Sequence, residues 1–177
     1  MNLATNPWSF VPADVVVASP VASPNGFIQQ PGQFGFVNLT TGAAHGFAVN
    51  SYVTVIGTTN GRFLGFYKVI TVPTTVTALL QNLSSPTSGQ PFNSALAPDG
   101  GGTIAQCQYT QNYRGEDISW QNAGAAGSQL DIRDRNGLPV WQATATGAGA
   151  QNRGKIFWVA GLTLITLQSG VVLVTVN

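Results

Sequence analysis

Apolar and polar residues alternate with a period of two in several segments of this chain. Tyr52-Val53-Thr54-Val55-Ile56 interleaves Thr with apolar positions and stops at Gly57; that pattern is the signature of a half-buried strand. Phe34–Leu39, Phe63–Thr71 and Thr75–Leu80 read the same way, with Asn60-Gly61 and Val72-Pro73-Thr74 as turns between them. Asn-Gly marks a hairpin because both residues reach positive φ cheaply. These four strands form a compact antiparallel meander or small barrel. Further on, Ile104–Tyr109, Asp117–Gln121, Gln129–Arg133, Leu138–Thr144, Ile156–Val159, Leu162–Leu167 and Val171–Val176 read as strands. Gly147–Ala150 makes a glycine-alanine loop, and Ser169-Gly170 makes the last hairpin turn. Val171–Val174 is apolar at every position, which predicts cover on both faces. No segment holds a 3.6-residue apolar repeat, so helix is minor.

Before the strands, Pro7, Pro12, Pro20, Pro24 and Pro31 recur through residues 1–33 and exclude helix. Between them stand Trp8, Phe10, Val15, Val16, Val17, Phe27 and Ile28. A solvated linker would not carry such side chains. They are the candidate partner contacts, in an arm that packs either on its own domain or on a neighbouring subunit. Residues 82–102 are rich in Ser, Pro and Gly, which suits a long loop or a boundary, with Pro98–Gly102 a flexible loop. The expected fold is all-β. It comprises an extended Pro-rich N-terminal arm (1–33), a β-module with a trailing loop (34–100) and a second sandwich- or barrel-like antiparallel β-module (101–177).

Charge changes this picture most. Only 7% of the 177 residues are charged, against about a quarter in an average soluble domain. The polar surface is therefore Thr, Ser, Asn and Gln, whose uncharged groups tolerate burial when hydrogen-bonded. Such a surface is suited to being covered by partners. Five Arg and two Lys against five Asp and one Glu leave too few cations for a phosphate-binding patch, so direct nucleic-acid binding is not expected. The single cysteine, Cys107, allows no intramolecular disulfide and fits folding in a reducing cytoplasm. No signal peptide and no apolar run of membrane-spanning length is visible.

Candidate chemistry is sparse. The one histidine, His45, suits a turn before the strand at Tyr52; Cys107 sits mid-strand, where a buried, inert thiol is usual. Neither carries a thiol-protease motif. Glu116 and Asp117 are adjacent and so point to opposite faces of a strand, unlike the carboxylates of a glycosidase facing each other across a cleft. Asp131–Gly137 has oxygen side chains ahead of a glycine, but its spacing departs from a calcium loop and its two Arg residues repel a cation. The hairpin reading is preferred there. Pro98–Gly102 lacks the Lys-Ser/Thr of a phosphate loop. Trp8, Trp120, Trp141 and Trp158 suit core or interface anchoring better than a sugar platform. No catalytic, cofactor or metal residues are expected.

The segment from His45-Gly46-Phe47 through Tyr52–Gly57, continuing Asn60-Gly61-Arg62-Phe63-Leu64-Gly65-Phe66 to Val72, resembles a β-module of structural proteins of tailed bacteriophages. Those modules have a His-Gly turn, a valine-rich strand, a glycine hairpin and a Phe-x-Gly strand. Ile118–Ala123, Leu130–Gly137 and Gly161–Val174 are similar to small phage virion β-domains. The resemblance implies a non-enzymatic virion protein, assembled in the host bacterial cytoplasm. Its implied role is capsid decoration or cement, holding the major capsid protein or other virion proteins as a homo-oligomer, with a trimer plausible for that class. The alternative is a tail, fibre or baseplate module that binds other tail proteins or a host surface glycan.

Overall fold

A computed structural model describes residues 6–83, 96–149, 152–154 and 158–177. Most of the Ser/Pro-rich stretch after Asn82, and the start of the strand expected at Ile156, lie outside these residues. The described chain is all-β, with thirteen strands and one 3₁₀ turn at Pro12–Asp14. In chain order the first seven strands are β1 (Trp8–Phe10), β2 (Val17–Ala18), β3 (Phe27–Gln30), β4 (Gln33–Thr40), β5 (Tyr52–Ile56), β6 (Gly65–Thr74) and β7 (Thr77–Asn82). The others are β8 (Thr103–Gln121), β9 (Gln129–Arg133), β10 (Pro139–Thr144), β11 (Asn152–Gly154), β12 (Trp158–Leu167) and β13 (Val171–Val176).

Two compact units share this chain. The first comprises Val16–Cys107 with Arg135–Gly137, and its strands run β8-β5-β6-β7-β4-β3. β5, β6 and β7 form the expected meander, but Val72-Pro73-Thr74, expected as its turn, continues β6 and the turn falls at Thr75-Val76. β4 pairs with β7 on its far side, from Phe36↔Gln81 to Thr40↔Thr77. Alternation decides what is buried: Val53, Val55, Val37, Leu39, Val69 and Leu80 point into a core closed by Phe27, Phe63 and Tyr67. Tyr67 buries its ring but its hydroxyl donates to the Phe63 carbonyl at 2.8 Å, which satisfies the polar end in place. Arg135 reaches over the Phe66 ring, 5.7 Å from its centroid, and its carbonyl accepts from the buried Thr54 hydroxyl.

The second unit comprises the chain up to Val15, Gln108–Asp134 and Leu138–Asn177. β13 lies between β1 and the distal half of β8, with Phe10↔Val172 on one edge and Val172↔Trp120 on the other. β11 pairs with β8 at Ile118–Trp120. β10, β9 and β12 pair in that order, all antiparallel. Trp8, Phe10, Ile118, Trp120, Val172 and Val174 meet Leu130, Ile132, Leu162 and Leu164 in one core, a sandwich-like arrangement. In β13, Val172 and Val174 are fully buried, whereas Val171 and Leu173 are half-buried. Both edges of that strand are paired, and one face is closed by core.

Sequence pattern and structure differ most in β8. Ile104–Tyr109 and Asp117–Gln121 are the two ends of one strand of nineteen residues. The intervening Thr110–Glu116 is mostly polar, so no apolar run marks it, yet Tyr113 and Gly115 hold inward positions there. β12 likewise absorbs Leu162–Leu167 into a longer strand. The Ser169-Gly170 turn is as expected: Gly170 has φ 77°, and a Cβ there would collide with the carbonyls of Gln121 and Asn122.

Two substitutions separate arm residues that hold the fold from those that do not. Phe10→Ala should lower stability by about 3–5 kcal/mol. Val17→Ala, at an exposed position, should change it by less than ~0.5 kcal/mol. Urea denaturation followed by tryptophan fluorescence measures both.

Candidate functional site

The proline-rich segment contributes strands to both units. Trp8 and Phe10 on β1 are buried in the second unit, where Trp8 packs 4.5 Å from Tyr109 and edge-on to Tyr113 at 5.0 Å between centroids. Asn6 extends the β1 edge by one rung: its side-chain amide donates to the Val176 carbonyl at 2.7 Å and accepts from the Val176 N–H at 3.1 Å. Phe27 is fully buried in the first unit, stacked 5.8 Å from Phe63. Val15 and Val16 are half-buried against their respective cores. Of the seven apolar side chains singled out from the sequence, Val17 and Ile28 are the exposed ones, at 42% and 40%.

Pro98–Gly102, expected to be flexible, is fixed by a buried carboxylate. Asp99 is fully buried, and its backbone exchanges two hydrogen bonds with Phe27, at 2.9 and 3.1 Å. Its carboxylate accepts from the N–H of Gly100 at 2.8 Å, of Asn60 at 3.2 Å and of Arg62 at 3.2 Å, and from the Asn60 side-chain amide at 3.0 Å. Three glycines follow: Gly100 and Gly102 press on neighbouring backbone, and Gly101 has φ 67°. At Gly102, φ is 77° and a Cβ would meet the Ile56 carbonyl. Burial pushes the Asp99 carboxyl up, but the donors from Gly100, Arg62 and Asn60 outweigh it and hold the group below the usual carboxylate range. This is a polar pin between two loops, with every acceptor facing protein donors.

His45 is buried and uses both ring nitrogens on the main chain: Nδ1 accepts from the Phe47 N–H at 3.0 Å, and Nε2 lies 3.4 Å from the Thr77 carbonyl. Cys107 is buried in β8. Glu116 is exposed, and Asp117 faces the other way, opposite Thr175. Among the described residues no three His, Cys, Asp or Glu side chains converge as a metal site would require. Asp131–Gly137 forms the expected hairpin. Leu138 N–H donates to Asp134 Oδ1 at 2.8 Å, Asp134 N–H donates to the Leu138 carbonyl at 2.9 Å, and Gly137 has φ 87°.

A concave feature of the second unit lies on the outer face of its β10-β9-β12 strands. An open groove of about 350 Å³ is lined by Gln129, Leu130 and Asp131 of β9, Gln142, Ala143 and Thr144 of β10, and Thr166 of β12. Register puts Gln142 and Thr166 on either side of Asp131, with Thr144 beside Gln129. Arg133, two residues along β9, donates to the Asp131 carboxylate from Nε at 3.2 Å and Nη2 at 3.1 Å. The sequence shows Gln129, Asp131 and Arg133 on one strand face, but not which strands flank β9. Gln142, Thr144 and Thr166 therefore escaped notice. Trp141 and Ile132 pair on the opposite, core-facing side, and Trp158 is 76% exposed at the start of β12.

Comparison with protein-family models, with characterised proteins and with solved structures finds no match.

The pin has a pH signature. A carboxyl whose folded value is depressed stabilises fully above its unfolded value of about 3.9, and that stabilisation fades as pH falls through the folded value. Asp99→Asn should therefore cost ~1–3 kcal/mol at neutral pH through lost charge-assisted bonds. It should also make the decline of stability below pH ~4 shallower than in the wild type. Urea titrations at several pH values read both effects.

Proposed function

We propose that this chain is a non-enzymatic bacteriophage virion structural protein, a capsid decoration or cement protein that stabilises the head by bridging subunits of the major capsid protein. The observation that carries the reading is a surface with little charge and large exposed apolar side chains. Trp158, Leu138 and Val49 are 76%, 64% and 51% exposed in a chain with thirteen charged residues, from seven Lys and Arg and six Asp and Glu. Aromatic and aliphatic anchors ringed by uncharged polar groups are the usual makings of a protein interface, where a few central side chains dominate affinity. The resemblance of His45–Val72 to phage virion modules supports the same reading. The buried positions of Trp8, Phe10 and Phe27 move the proposed partner contacts from the arm's aromatics to its exposed Val17 and Ile28 and to Trp158.

The copy number per particle tests the assignment. Quantitative mass spectrometry of virions that carry the chain should find it in hundreds of copies, in fixed ratio to the major capsid protein, as a lattice of symmetric oligomers demands. Trp158→Ala and Val17→Ser should each weaken binding of the purified chain to undecorated shells while leaving its urea midpoint unchanged. Six to a few dozen copies would instead place the chain in the tail, fibre or baseplate. Absence from particles would end the virion reading.

A further inference from the structure

We propose that the groove built by Gln142, Asp131 and Thr166 binds a neutral saccharide. The row spans three adjacent strands, with Gln142 and Thr166 both in register with Asp131 and the Thr144–Gln129 pair alongside. A sugar hydroxyl both donates and accepts. This surface offers matching groups: two glutamine amides, two threonine hydroxyls and a carboxylate that can accept from a pair of adjacent hydroxyls. The strands beneath are anchored in the core by Leu130 and Ile132 on β9 and Leu164 on β12. Side chains on paired strands are held more closely than side chains on loops.

The electrostatics select among ligands. Asp131 is the one charged residue lining the groove, and Arg133 fixes and neutralises it from the side. A single carboxylate already bonded to a guanidinium is a poor cation site, which wants several oxygen ligands. An anionic ligand would meet the carboxylate with no cation facing it from the groove lining. A neutral polyol fits both conditions. At about 350 Å³ the groove is near the small end of ligand sites and accepts roughly one or two pyranose rings. The aromatic platform common at sugar sites is missing from this lining, because Trp141 turns to the core side of β10. Recognition here therefore runs through hydrogen bonds that compete with water, and affinity is in the ~1 mM range. The site stands independently of the capsid assignment.

The experiment is a titration of the ¹⁵N-labelled full chain with maltose, cellobiose and lactose, each to about 50 mM, followed by amide correlation spectra. The expected result is saturable shifts, for at least one disaccharide, confined to Gln129–Asp131, Gln142–Thr144 and Thr166, including the glutamine side-chain NH₂ signals. Glucuronate should shift these signals less. Gln142→Ala and Thr144→Ala change exposed side chains, so the rest of the spectrum should stay intact while binding weakens several-fold. Asp131→Asn should weaken it as well. The proposal is overturned if none of the three disaccharides moves these signals, if the shifts fall elsewhere, or if Gln142→Ala and Thr144→Ala both titrate like the wild type.

Discussion

The backbone of Thr103–Gln121 offers N–H and C=O groups along both of its edges, and both units are assembled on those groups. Its first residues take β5, with Val53↔Gln106 to Ile56↔Thr103, and β2, with Val17↔Ala105. Its last residues take β13 and β11. A chain with only 7% charged residues depends on such ladders, since each buried peptide group left unpaired would cost about as much as a lost hydrogen bond. The adjacent Ile104 and Ala105 are both buried in one unit, and Ile118 and Trp120, two apart on one face, are buried in the other. β8 thus serves two cores with one continuous strand.

Charge is handled sparingly inside this framework. Asp99 is buried in the first unit, and it is tolerated because backbone and amide N–H groups surround it. A nest of N–H donors stabilises an anion without a countercharge. Asp131 shows the other solution, a carboxylate near the surface matched to a guanidinium two residues away on the same strand. The first arrangement fixes loops, and the second fixes the orientation of an acceptor on an open sheet face. Uncharged amides do comparable work elsewhere. Gln108 takes a main-chain acceptor from Asp14 and a donor from Leu164, and Asn6 replaces a peptide group at the end of β1.

Strands bounded by strong turns were legible from the sequence, because both signals are local. Tyr52–Ile56, Gln129–Arg133 and Val171–Val176 match β5, β9 and β13 at both ends. Polar stretches were not legible: Thr110–Glu116 looks like a break because its hydrogen-bonding partners come from distant segments. The arm posed a different difficulty. Trp8, Phe10 and Phe27 announce burial, but composition does not say against what: β1 pairs with Val172–Val174 at the far end of the strand series, and Phe27 pairs with Leu39 and Asp99. The Pro98–Gly102 loop was misjudged for the same reason, since Asp99 is fixed by Asn60, Arg62 and Phe27. The groove depends on strand order, which alternation alone does not encode.

The pairing of β1 with β13 also sets a timetable. Trp8 meets Val174 and Phe10 meets Val172, so the first of the described strands to be made waits for the last. During synthesis the first unit gains nearly all of its strands by Cys107, while the hydrophobic side chains of β1 remain without their strand partner until Val172–Val174 emerge. Contacts so distant in sequence slow folding and lengthen the interval in which apolar strand edges are exposed. For this chain the vulnerable moment is therefore during translation, when Trp8 and Phe10 have been made and the strand that shelters them has not.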